Sequence, residues 1–167
     1  MAELTQQERL QPSLLDRLTD DEPEKKHESR DQRVLSVRRL RECIKRDLTW
    51  LLNTGSLSDV EDLSAYPLVA QSVLNYGMPD LTGITAVSTD VHVIERNLRQ
   101  IILTYEPRIL KNSLRVRVTT TDQMSQNALR FEIECDMWAK PMPERLYLKT
   151  EVDLETGNVS VDDFNGS

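Results

Sequence analysis

The stretch "ILTYEPRILKNS", Ile102 to Ser113, divides the chain into two parts that follow different rules. Before it, apolar residues recur every three or four positions, the spacing of one face of a helix. After it they alternate with polar ones, the spacing of a strand with one buried face. Pro107 sits at the junction and disfavours helical geometry at Glu106, so the helix ends there. Helices followed by strands, with no βαβ alternation, leave few architectures open. They predict an α+β domain with N-terminal helices packed on one face of a C-terminal antiparallel sheet.

In the helical part, Val34, Val37, Leu40, Ile44, Leu48 and Leu51 step by three and four between Asp31 and Asn53. Gly55 in "NTGS" is a natural C-terminal break. Pro67 opens a shorter predicted helix that carries Leu68, Val69, Val73 and Leu74 and stops at Gly77. Ser88 or Thr89 caps a third, whose stripe is Val91, Ile94, Leu98, Ile101, Ile102 and Tyr105.

In the strand part, "LRVRV" turns Leu114, Val116 and Val118 one way, and "ALRFEIECDMW" does the same with Leu129, Phe131, Ile133, Cys135 and Met137. Arg115 and Arg117 then face out from one strand and Arg130, Glu132, Glu134 and Asp136 from the next. Antiparallel pairing across the loop "TTTDQMSQN" sets the arginines of the first opposite the acids of the second. "ERLYLKTEVDL" is a third strand, "ETGN" a turn, and "VSV", Val159 to Val161, a short last strand. The pattern does not say which strand is the open edge; the last one, with least to pair with, is the first candidate.

The 167 residues suit one domain with an appendage better than two domains. Residues 1–30 are expected to form a flexible N-terminal extension, 31–163 a single α+β domain, and 164–167 a tail. Within the extension, "TDDEPEKKHESRDQR" is almost wholly charged and reads as a solvated linker. In front of it, "PSLLDRLTD" places Leu10, Leu14, Leu15 and Leu18 along one side of a short helix. A helix this short is marginal alone in water, so its leucines need a surface. The pattern allows two: the protein's own domain, or a groove on a partner reached from the tether.

The chemistry is sparse. A formal charge of −7, from 28 acids against 21 Lys+Arg, disfavours nucleic acid and anionic lipid as partners. Cys43 and Cys135 lie far apart without metal or redox spacing, which points to a reducing compartment. The N-terminus carries no secretory signal pattern and no apolar run reaches bilayer length, so a soluble cytoplasmic protein is expected. Gly-rich phosphate loops, HExxH and GxSxG are absent, and the histidines are His27 and His92 alone. No cofactor or metal is implied. Among the acids, only Glu106, beside Tyr105 at the helix end, is placed to serve as a general acid.

The proline accounts for the helix stop but not for the charges beside it. In a local reading, Arg108 bonds the last helical carbonyls and Glu106 meets a basic neighbour. In a functional reading, the rigid bend presents Glu106 and Arg108 to complementary charges on another protein.

Three segments in series, "PSLLDRLTD", "VLNYGMPDLTG" and "YEPRI", resemble the TssE baseplate subunits of bacterial type VI secretion systems, within the tailed-phage baseplate wedge family often labelled lysozyme-like. The resemblance runs nearly the whole chain. It implies an α+β structural subunit of the cytoplasmic baseplate, near the inner membrane, held with TssF and TssG and close to TssK. It implies that Glu106, Pro107 and Arg108 contact the wedge core and help start the TssB/TssC sheath, and that the sheet resembles the sheath part that exchanges strands. It also implies that Ser13, Leu14, Leu15 and Leu18 belong to a docking peptide. The family label raises one alternative, a peptidoglycan-cleaving muramidase using Glu106. That chemistry needs a second carboxylate about 5–10 Å away across a cleft, and the sequence pairs Glu106 with none.

Overall fold

The computed structural model describes residues 13–19, 24, 37–81, 91–119, 128–139 and 142–163. Its helices are α1 (Leu14–Leu18), α2 (Val37–Leu52), α3 (Pro67–Ala70) and α4 (Val91–Tyr105). They precede four strands, β1 (Arg115–Thr119), β2 (Ala128–Met137), β3 (Glu144–Asp153) and β4 (Val159–Asp163). The strands form one antiparallel sheet in chain order, so each pairs with its sequence neighbour. Leu40, Ile44, Leu48 and Leu51 of α2 and Ile94, Leu98 and Ile102 of α4 share one core with Phe131, Ile133, Leu146, Leu148 and Val152. The α+β arrangement follows from this: the helical stripe and the inward strand residues have each other to bury against.

The strand register places Arg115 opposite Glu134 and Arg117 opposite Glu132, the cross-strand pairing that the alternation predicts. The face away from the helices continues as a charge ladder. Glu132 lies opposite Lys149 and Arg130 opposite Glu151, with 2.9 Å between the latter side chains. Arg145 also pairs with Glu134.

Two local expectations differ from the structure. The single helix from Pro67 to Gly77 is instead α3 followed by a 3-10 turn, Val73–Asn75. Polar side chains cut it. Asn75 Nδ2 donates to the Ala70 carbonyl at 3.0 Å, Ser72 Oγ donates to Val69 O at 2.9 Å, and the same hydroxyl accepts from Leu74 N at 3.2 Å. Gly55 has no left-handed backbone; the glycine that needs its freedom is Gly77, with φ of 137°. There the chain returns against the end of α2, and a Cβ would lie 2.4 Å from Thr54 O. The Val34 turn, the Ser88 or Thr89 cap, Leu10, most of the charged linker, nearly all of the "TTTDQMSQN" loop and the 164–167 tail lie outside the described residues.

β4, the first candidate, is an edge strand, and β1 is the other edge. Side chains just past the end of α2 and on α4 close part of each. Asn53 donates from Nδ2 to Val159 O at 2.8 Å and accepts from Val159 N at 2.9 Å, so its amide acts as one rung of a further strand. On β1, Glu95 accepts from Val118 N at 2.9 Å and Arg99 Nε donates to Leu114 O at 3.2 Å. Side chains that occupy edge hydrogen bonds oppose indiscriminate pairing.

Candidate functional site

α4 ends where Pro107 requires. Glu106 N still reaches Ile102 O at 2.8 Å, and the chain then turns so that Ile109 N reaches Glu106 O at 3.3 Å. Leu110 N and Trp138 N bond Asp136 O and Arg108 O at 2.9 and 2.7 Å, tying the turn to the end of β2. The bend is therefore fixed on both sides.

Within it, Glu106 is 3% exposed. Its Oε1 accepts from Arg108 N at 3.0 Å and Arg108 Nε at 2.7 Å, and its Oε2 pairs with Arg108 Nη2. The local reading expected Arg108 to bond helix carbonyls; the guanidinium instead grips Glu106. It also reaches Asp47 Oδ2 of α2 at 2.5 Å. Burial alone would lower the Arg108 pKa, but Glu106 and Asp47 outweigh it and hold the group more firmly protonated than usual. Its Nη1 is buried without a hydrogen-bond partner. Pro107 is exposed.

The chain of charges does not stop at Asp47. Asp47 Oδ1 accepts from Arg46 Nε at 2.9 Å and Nη2 at 2.7 Å, and Arg46 Nη1 donates to Asp16 Oδ1 of α1 at 2.7 Å. Asp16 Oδ2 accepts from Ser13 Oγ at 2.6 Å, and Ser13 Oγ accepts from Asp16 N at 3.3 Å as the helix cap. Burial opposes ionisation of Asp16, but hydrogen bonds from Arg46 and Ser13 and the charge of Arg46 win, holding its carboxyl below the usual range. Glu106, Arg108, Asp47, Arg46 and Asp16 thus alternate in sign from the proline turn to the N-terminal helix. Arg46 also lies over the Trp50 ring, 4.9 Å from its centroid. Tyr105 donates to Asn75 O at 2.7 Å, and its ring meets that of Tyr76 edge to face at 5.3 Å. Tyr76 Oη donates to Asp47 O at 3.4 Å, which links this ring pair to the element that carries the cluster.

The structure brings the two sequence-predicted groups into one network. It does so through Asp47 and Arg46, which the sequence reading did not single out. Nothing local could point to Asp47, which lies 61 positions from Arg108. Asp16 did leave a signal: Ser13-x-x-Asp16 has the spacing of a capping box. α1 is tied to the domain through its acid, and its leucines keep much of their surface. Leu14, Leu15 and Leu18 are 70%, 47% and 75% exposed.

Chemically, the arrangement holds charges still. Both oxygens of Glu106 are engaged, and the neighbouring acid, Asp47, lies across Arg108 instead of across an open cleft. Burial raises the Cys43 thiol, with Asp16 adding to it, and pushes Cys135 up to about 12 with help from Asp136 and Glu106. Among the described residues, no His, Cys, Asp and Glu cluster could hold a metal ion, and no helix is long and apolar enough to cross a membrane.

A rigid turn is braced here by salt bridges, beside an antiparallel sheet whose edges are β1 and β4. Residues 38–142 match the family described as baseplate wedge protein gp25, and the chain belongs to that family. The matched span runs from α2 past β2 and contains Asp47, Glu106, Pro107 and Arg108. Its role is accordingly structural, within a phage-tail-like baseplate, among other baseplate proteins. Searches of curated proteins and of solved structures return no significant match.

Proposed function

We propose that the chain is the TssE-type wedge subunit of a type VI secretion baseplate, held by TssF and TssG near TssK on the cytoplasmic side of the inner membrane. It helps start polymerisation of the TssB/TssC sheath. The observation that carries this reading is the continuous charge network within and beside the matched wedge family span. It joins the Glu106-Pro107-Arg108 turn to the "SLLDRL" helix, the two segments that carry the resemblance to these subunits.

The geometry divides the labour. Glu106 is buried and acts as a positioning residue for Arg108, while exposed Pro107 and the partly exposed Arg108 offer the contact. Ser13 caps α1, Asp16 anchors it, and Leu14, Leu15 and Leu18 stay free for a partner's apolar groove. The edge of β4 beyond Val159 supports strand addition by a sheath subunit.

The test is capture of co-expressed TssF and TssG by the wild-type chain and by a paired Glu106→Gln/Arg108→Gln variant, with circular dichroism to check folding. The paired change avoids leaving one buried charge alone. Capture by the wild type and its loss from a folded variant establish the wedge contact. A wild-type chain that captures neither protein overturns the reading, and equal capture by both proteins moves the turn's role to the sheath step.

A further inference from the structure

The net charge is not spread over the chain. Residues 47–95 hold seven acids and no Lys or Arg, so this stretch carries the entire −7 and the rest of the chain is balanced. Its described part is also where exposed apolar side chains collect. Val60, Tyr66, Leu68, Val73 and Leu74 are between 62% and 84% exposed. They stand on the excursion between α2 and α4 that begins at Ser56. Its base is pinned by Met78 N on Thr54 O at 2.8 Å and Ser56 N on Met78 O at 3.2 Å.

Val60 and Leu74 border a groove of about 560 Å³ whose deeper lining includes Leu52 and Met78, 1% and 6% exposed. Asp59 and Asp80 stand in its lining, and Asp80 N donates to Asp59 Oδ2 at 3.2 Å, which holds the two acids side by side. Asn53 lines it too, so the groove adjoins the capped start of β4.

We propose that this groove docks another baseplate protein through an apolar side chain on a segment flanked by Lys or Arg. The proposal rests on the baseplate reading above and adds a contact separate from the proline turn and α1. The lining supplies the apolar half of the argument: exposed apolar walls over a buried floor reward an occupant that displaces water. The charge supplies the other half. Carboxylates beside the groove, in a stretch without one cation, favour basic flanks and repel acidic ones. A second copy presenting the same face would bring acid against acid, and the same sign excludes nucleic acid.

The experiment places the photo-cross-linking residue p-benzoylphenylalanine at Leu74 in the full chain co-expressed with TssF and TssG, purifies the complex, and identifies the captured peptide by mass spectrometry. Leu74 is 67% exposed, so the replacement leaves the core alone. The expected product is a TssF or TssG segment with an apolar residue within a few positions of Lys or Arg. With the cross-linker kept at Leu74, a Val60→Lys change, which removes an exposed apolar wall and repels basic flanks, should lose at least tenfold in that cross-link at unchanged melting temperature, and raised salt should weaken the cross-link of the chain without that change. A complex that forms without the cross-link, with an acidic segment captured, or with two copies of this chain joined overturns the groove and leaves the wedge reading standing. No complex with the wild-type chain overturns the wedge reading and the groove's partner with it.

Discussion

The protein holds two networks of alternating charge, and they are built from the same residue types for different ends. One runs along the outer face of the sheet, where Arg130 and Glu151 pair at 2.9 Å with side chains 38% and 42% exposed. The other runs from Glu106 through Arg108, Asp47 and Arg46 to Asp16, and its Glu106 side chain is 4% exposed. Water screens the first, and each of its pairs is replaceable. The second has given up water at Glu106, so removing Arg108 strands a buried charge, while Arg46 and Asp47 further along keep 35% and 23% of their side-chain surface. The ladder keeps a sheet face polar; the buried chain fixes the position of a turn.

The hardest blow to that contrast is Arg108→Ala. It leaves Glu106 buried and alone, and urea denaturation should show a loss of about 3–5 kcal/mol. A Glu106→Leu/Arg108→Met pair, which removes both charges together, should recover most of that stability. If the single and paired changes cost the same, the turn owes its stability to shape and not to charge.

Asp47→Asn sharpens the picture, because Arg108 keeps Glu106 and loses only its hold on α2. The same measurement should find an intermediate cost of roughly 1–3 kcal/mol. On the ladder, Arg130→Ala should cost only about 0.2–1 kcal/mol, and the difference from wild type should shrink in high salt. A loss as large as that of Arg108→Ala would erase the distinction between the two networks.

The smallest effect on global stability is expected at Asp16, where the readout is local. Its carboxyl titrates below the ordinary value of 3.8 in the folded protein, so its contribution is fully present above that pH and is lost as pH falls through the lowered value. In a Trp138→Phe background, Trp50 fluorescence should report this step, since Arg46 lies over that ring. Asp16→Asn should abolish the step while leaving the melting temperature at neutral pH nearly unchanged. A transition that survives in Asp16→Asn would assign the acid sensitivity to another carboxylate.

Much of the fold was legible because it is written in local periods. The stop at Pro107, the stripe of Ile94, Leu98 and Ile102, and the facing of Arg115 with Glu134 all follow from spacing and a proline. The segment after Pro67 was misread because Leu68, Val69, Val73 and Leu74 have helical spacing. That spacing cannot reveal that Ser72 and Asn75 take the hydrogen bonds that would have continued the helix. At the site, the sequence supplied Glu106, Pro107, Arg108 and the Ser13 segment but not what joins them. Asp47 looks like any surface acid on α2 until the tertiary fold sets it against Arg108. Salt bridges between distant positions have no period.

The amide of Asn53 on Val159 bears on how such a protein waits before it is used. A subunit made ahead of its assembly meets copies of itself, and an open strand edge would let them stack. Because Asn53 already fills the first rung of β4, two copies meeting there exchange hydrogen bonds without gaining any. Freeing the rung takes the rotation of one side chain, not the melting of a strand. The same two hydrogen bonds thus close the first rung of β4 and can be released without unfolding the strand.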